Sequence, residues 1–93
     1  MHKRLMLKVY GEVQGVFFRA QTKKKADELG LVGWVKNEAD GSVKVVAQGE
    51  DERLNQLIDW CYNIPSANVE RIEIHWSDPL KDLQEFKDFR IIY

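Results

Sequence analysis

Ninety-three residues with 44% apolar and 31% charged side chains make one globular domain, residues 1–93, rather than a disordered chain. A formal net charge of −1 supplies no overall field to attract nucleic acid, and no apolar run approaches the roughly 18 residues that a membrane span needs. Met1-His2-Lys3-Arg4 is not followed by a signal-peptide core, and the single cysteine, Cys61, cannot form an internal disulfide; both point to a cytoplasmic protein.

In chain order, Leu5, Leu7 and Val9 alternate with Met6, Lys8 and Tyr10, the period of a half-buried strand over 5–12. Residues 13–19 read as a connection. The spacing Phe18, Thr22, Ala26, Leu29 predicts a helix over about 20–30, stopped by Gly30. Two β-patterned stretches, 33–38 and 42–48, flank Asp40-Gly41, a dipeptide favoured in tight hairpin turns. Gly49-Glu50-Asp51-Glu52 opens a second helix with acids at its positive end, and Leu54, Leu57, Ile58 and Cys61 form its inner face before Pro65. Residues 68–76 read as a fourth strand, Ser77 to Lys87 as a polar loop, and Phe89, Ile91 and Tyr93 as a short terminal strand.

Two helices with one apolar stripe each cannot cover both faces of such a sheet. The expected fold is therefore an α+β, ferredoxin-like βαββαβ two-layer sandwich, an antiparallel sheet with both helices on one face and a short C-terminal extra strand.

The run Val9-Tyr10-Gly11-Glu12-Val13-Gln14-Gly15-Val16-Phe17-Phe18-Arg19 places an arginine at a helix N-terminus. A cation is disfavoured there, where unpaired N–H groups and the positive end of the dipole lie, unless an anion intervenes. Backbone donors, a helix start and a guanidinium together describe a phosphate site. A surface arginine paired with a carboxylate is the alternative. Lys23-Lys24-Lys25 reads either as a solvated helix face or as a positive rim that steers anions. Asn37, near the end of a strand beside the hairpin, serves either local backbone or a ligand.

Two segments carry a family resemblance. Val9-x-Gly11-x-Val13-Gln14-Gly15-Val16-x-Phe18-Arg19 and Gly33-Trp34-Val35-Lys36-Asn37-x-x-x-Gly41-x-Val43, followed by Gly49, resemble the two signatures of the acylphosphatases. The resemblance implies a hydrolase that needs neither metal nor cofactor and cleaves acyl phosphates to carboxylate and inorganic phosphate. It further implies that Arg19 binds the phosphoryl group, that Asn37 positions the attacking water, and that the backbone N–H groups of Gly15, Val16, Phe17, Phe18 and Arg19 cradle phosphoryl oxygens. The partner it implies is a small-molecule acyl phosphate, met by a monomer without nucleic acid or membrane. One departure stands out: many relatives carry a basic residue beside the final Tyr, whereas Ile92 precedes Tyr93 here and Arg90 lies further back.

Residue chemistry points the same way. Phosphoryl transfer asks mainly for positioning and charge stabilisation, Arg engages phosphate bidentately, and Asn orients water without acting as a base. His2 and His75 with Cys61 offer no metal-ligand spacing, Cys61 reads as a small core residue, and Trp34, Trp60 and Trp76 read as core or core-edge anchors. The same element order also serves RNA-recognition modules, but residues 42–48 lack the aromatic residues those use.

Overall fold

The computed structural model describes residues 2–15, 17–79 and 87–93. Strand β1 (His2–Glu12) leads to helix α1 (Phe18–Glu28), then β2 (Val32–Asn37), β3 (Val43–Glu50), helix α2 (Asp51–Asn63), β4 (Asn68–Ser77) and β5 (Phe89–Ile92). The five strands form one sheet in the order β4-β1-β3-β2-β5. This is the expected ferredoxin-like α+β arrangement.

One edge corrects the expectation of a wholly antiparallel sheet. β1, β3, β4 and β2 pair antiparallel, whereas β5 pairs parallel to β2, with Gly33 opposite Phe89 and Lys36 opposite Ile92. The chain enters β5 at the end of the sheet where β4 stops, so β5 runs opposite to β4 and alongside β2. The intervening loop expected over Ser77 to Lys87 falls mostly outside the described residues.

Period-2 alternation fixes which face is buried. Leu5, Leu7 and Val9 of β1 pair with Ala47, Val45 and Val43 of β3, and all six are fully buried. The helices close over this face. α1 contributes Phe18, Thr22 and Ala26, and α2 contributes Leu54, Leu57, Ile58 and Cys61, the stripes expected from sequence. Burial raises the Cys61 thiol to about 12, as befits a core residue. Trp60 packs on Phe18 at 6.2 Å between ring centroids. The other two tryptophans do not anchor the core: Trp76 is 44% exposed on the edge strand, and Trp34 stands on the face away from the helices.

Two boundaries shift for local reasons. α1 starts at Phe18, two residues earlier than expected, because Phe18 is a core anchor and its carbonyl already accepts from Thr22 Oγ1 at 2.8 Å. Gly49 and Glu50 complete β3 rather than open α2, since they pair with Lys3 and His2 of β1. The end of α1 follows the sequence: Gly30 N–H donates to Asp27 O (3.1 Å) and Leu31 N–H to Ala26 O (2.9 Å), the two bonds of a Schellman cap.

Candidate active site

The first segment delivers the start of α1 to one end of the sheet. The register of β1 with β4 shifts between Tyr10 and Gly11, where β4 holds one extra residue, Glu70, and β1 ends just before the loop. Val13 is buried, and Gly15 turns the chain at φ 77°, a conformation that glycine adopts without strain. Val16 lies outside the described residues. Phe17 then takes φ 60°, ψ 22° as the residue that caps α1, with its ring 81% exposed. A left-handed aromatic residue costs on the order of 1–3 kcal/mol, and such strain gathers at ligand sites. Neither a side-chain cap nor an acidic residue meets the first turn of α1. Its leading N–H groups therefore remain available to an anion.

Arg19 is the second residue of this helix and is half-buried. Its guanidinium carbon lies 4.7 Å from the centroid of the Tyr93 ring, and among the described residues it has no ion pair. The carboxylate-pairing alternative therefore does not describe it. Stacking on an aromatic face orients the planar fork while leaving its N–H groups free for phosphate oxygens. Arg90 stays outside the site, bound to Asp88 at 2.8 Å. Lys23 and Lys25 pair with Asp27 and Glu28 along α1, which makes this triplet chiefly a solvated face.

The second segment brings Asn37 to the same place. It ends β2 opposite Val43, in register with Val35 on the helix side of the sheet. Its Oδ1 is the buried side-chain polar atom without a hydrogen-bond partner among the described residues. An unmet buried acceptor is costly, typically about 1–3 kcal/mol, and calls for a donor that arrives with ligand or solvent. Arg19, Asn37, Gly15 and Phe17 line one cavity of about 270 Å³, with Tyr93 and Ile91 of the C-terminal segment forming another wall. The side chains of the described lining residues offer no carboxylate, imidazole or thiol.

Gln14 joins the two segments and had no role assigned from sequence. Its Nε2 donates to Glu38 O at 2.8 Å and to Ser42 O at 2.9 Å, tying the phosphate-loop segment to the hairpin that bears Asn37. The hairpin is not the two-residue turn suggested by Asp40-Gly41. Gly41 N–H donates to Glu38 O and Glu38 N–H to Ser42 O, with Gly41 at φ 91°: a three-residue loop with a bulge. Asp40 Oδ1 accepts from Ser42 N–H at 3.0 Å and from the Ser42 hydroxyl, and Oδ2 meets Lys8 at 2.9 Å. These contacts, the Ser42 hydroxyl foremost, hold the Asp40 carboxyl well below the usual carboxylate range. Gln14 was legible as part of the motif; its partners are carbonyls, which no side-chain pattern reveals. Tyr93 was legible only as an alternating strand residue.

Residues 5–91 match the family model described as acylphosphatase. The chain is 47% identical to an acylphosphatase of Marinobacter nauticus, over 94% of this chain and 92% of that protein. It is 45% identical to one of Syntrophus aciditrophicus, over 100% and 95% respectively. Among solved structures it resembles the acylphosphatase of Bacillus subtilis, with a TM-score of 0.88, 34% identity and coverage of 98% of this chain and 99% of that one. On the two signatures, the fold and these relatives, the chain belongs to the acylphosphatase family.

Proposed function

We propose that this chain hydrolyses acyl phosphates to a carboxylate and inorganic phosphate, with Arg19 and the backbone donors at the start of α1 holding the phosphoryl group and Asn37 positioning the attacking water. Membership of the family makes it a hydrolase acting on acyl phosphates. The observation that carries the roles is an Asn37 Oδ1 unmet, and in the same cavity an Arg19 free of ion pairs, among the described residues.

The chemistry follows from these groups. The guanidinium and the helix N–H groups place positive charge where the equatorial phosphoryl oxygens gain negative charge, in a pre-organised setting. Asn37 Oδ1 accepts from a water and fixes it on the face of phosphorus opposite the departing carboxylate. The carboxylate is a good leaving group, so positioning and charge stabilisation carry the reaction. With no carboxylate or imidazole side chain among the described lining residues, the water proton passes to a phosphate oxygen of the substrate or to solvent. The P–O bond to the acyl oxygen breaks and its electron pair leaves with the carboxylate. On this reading the enzyme acts as a cytoplasmic monomer and requires no metal or cofactor.

Hydrolysis in heavy-oxygen water tests the route: the label belongs in inorganic phosphate, and label in the carboxylate contradicts attack at phosphorus. Asn37→Ala lowers kcat on the order of 10²–10³-fold, the scale of one lost transition-state contact, and EDTA leaves the rate unchanged. Full turnover by that variant would remove Asn37 from the mechanism.

A further inference from the structure

The face of the sheet turned away from the helices has a charge unlike that of the chain. Register places Arg4, Met6, Lys8 and Tyr10 of β1 on it, with Lys44, Val46 and Gln48 of β3, and Val32, Trp34 and Lys36 of β2. β4 adds Arg71, Glu73, His75 and Ser77, and β5 adds Arg90 and Ile92. Six of the chain's 14 basic residues stand here (Arg4, Lys8, Lys36, Lys44, Arg71, Arg90), against three acids that the same register places among the described residues, Glu73 and, at the strand ends, Glu12 and Glu50.

Three of the lysines lie side by side. Lys8 pairs with Lys44 and Lys44 with Lys36, so one cross-strand row holds three ammonium groups on neighbouring strands about 5 Å apart. Like charges directly opposite destabilise a sheet. Lys8 is neutralised by Asp40 at the rim, but Lys36 and Lys44 have no ion pair among the described residues. Aromatic rings accompany the charge. Lys44 Nζ lies 5.9 Å from the half-buried Trp34 ring, and Arg71 sits 4.2 Å over Tyr10. Among the described residues no helix packs on this side.

We propose that this face binds single-stranded nucleic acid, with backbone phosphates over the Lys36–Lys44 row and an unstacked base on Trp34. Charge complementarity selects a polyanion, and an aromatic residue set among cations selects one that can offer a free base, as single-stranded binders do. A duplex keeps its bases stacked and leaves Trp34 unused. Backbone phosphates and an unstacked base are common to RNA and DNA, so both are expected to bind. The net charge of −1 gave no sign of this, because most of the described acids lie off this face. The site is on the opposite face from Asn37 and does not depend on the hydrolytic reading.

Fluorescence anisotropy of short labelled RNA and DNA single strands with the intact chain tests the proposal. Binding is expected with Kd on the order of 10⁻⁵ M at about 50 mM salt, weakening with a log–log slope of about −1.4 to −2 for two or three phosphate contacts. K36E/K44E is expected to weaken it at least tenfold, on the order of what two lost phosphate contacts cost. Trp34→Leu is expected to weaken it about 5- to 100-fold while leaving the salt slope in place. Circular dichroism checks that each variant folds, and K36Q/K44Q, which removes repulsion without adding charge, serves where the glutamates disturb the sheet. No binding by the wild type overturns the proposal. So does affinity unchanged in folded lysine variants, or binding indifferent to Trp34 and matched by heparin or anionic vesicles.

Discussion

The roles proposed for Arg19 and Asn37 rest on what their neighbours withhold. Arg19 meets an aromatic face rather than a carboxylate, so its charge is not cancelled before substrate arrives. Asn37 keeps an acceptor unmet in a cavity whose described lining lacks a carboxylate or imidazole side chain. Their convergence on one cavity was legible from sequence, Arg19 as a cation at the wrong end of a helix and Asn37 through its motif. The Tyr93 stacking was not, because a ring 74 residues along the chain has no sequence period in common with α1. Cys61 gives a prediction at this scale. Burial raises its folded thiol above the ordinary value of 9.0 to about 12, so the folded state favours the neutral form. Stability is unaffected below about pH 9 and falls as pH rises from there toward 12, since only the unfolded thiol ionises in that window. Thermal unfolding across that range checks it, with Cys61→Ala expected to flatten this part of the profile. At neutral pH the thiol resists labelling until the chain unfolds.

The proposed active site depends on two turns being held against each other. The loop before α1 and the β2–β3 hairpin are surface segments that would otherwise move independently, and Gln14 bridges them through two carbonyls. Gln14→Leu removes both bonds and leaves two carbonyls to find other donors. We expect a loss of about 1–3 kcal/mol in chemical unfolding and a fall in kcat of on the order of 10–100-fold as Asn37 drifts from Arg19. Unchanged kcat in a folded Gln14→Leu protein would show that the hairpin holds its place without the bridge. Element order and both helical stripes followed from periodicity, because burial on one face repeats every 2 or 3.6 residues. The boundaries at Phe18 and Gly49 did not. Each was decided by a tertiary partner, the core around Phe18 in one case and Lys3 of β1 in the other.

One buried layer between sheet and helices supports the whole molecule. Leu57 of α2 is fully buried in that layer, and Leu57→Ala is expected to cost about 2–5 kcal/mol. For a domain of this size the midpoint of thermal unfolding falls by about 10 °C or more, while turnover per folded molecule at low temperature is retained. The parallel placement of β5 could not be read from alternation, which gives a strand's faces but not its direction. It matters for function, since β5 brings Ile91 to the cavity wall and the chain then carries Tyr93 to Arg19. Charge segregation was equally hidden: a sequence total near zero is compatible with one cationic face once pairing register is known.

Hydrolysis of a simple acyl phosphate by the wild type and by Arg19→Ala, measured side by side with circular dichroism confirming equal folding, bears most directly on the central claim. Rapid turnover by the wild type and almost none by Arg19→Ala is the predicted result. Comparable kcat in the two proteins would contradict the assignment of phosphoryl binding to Arg19.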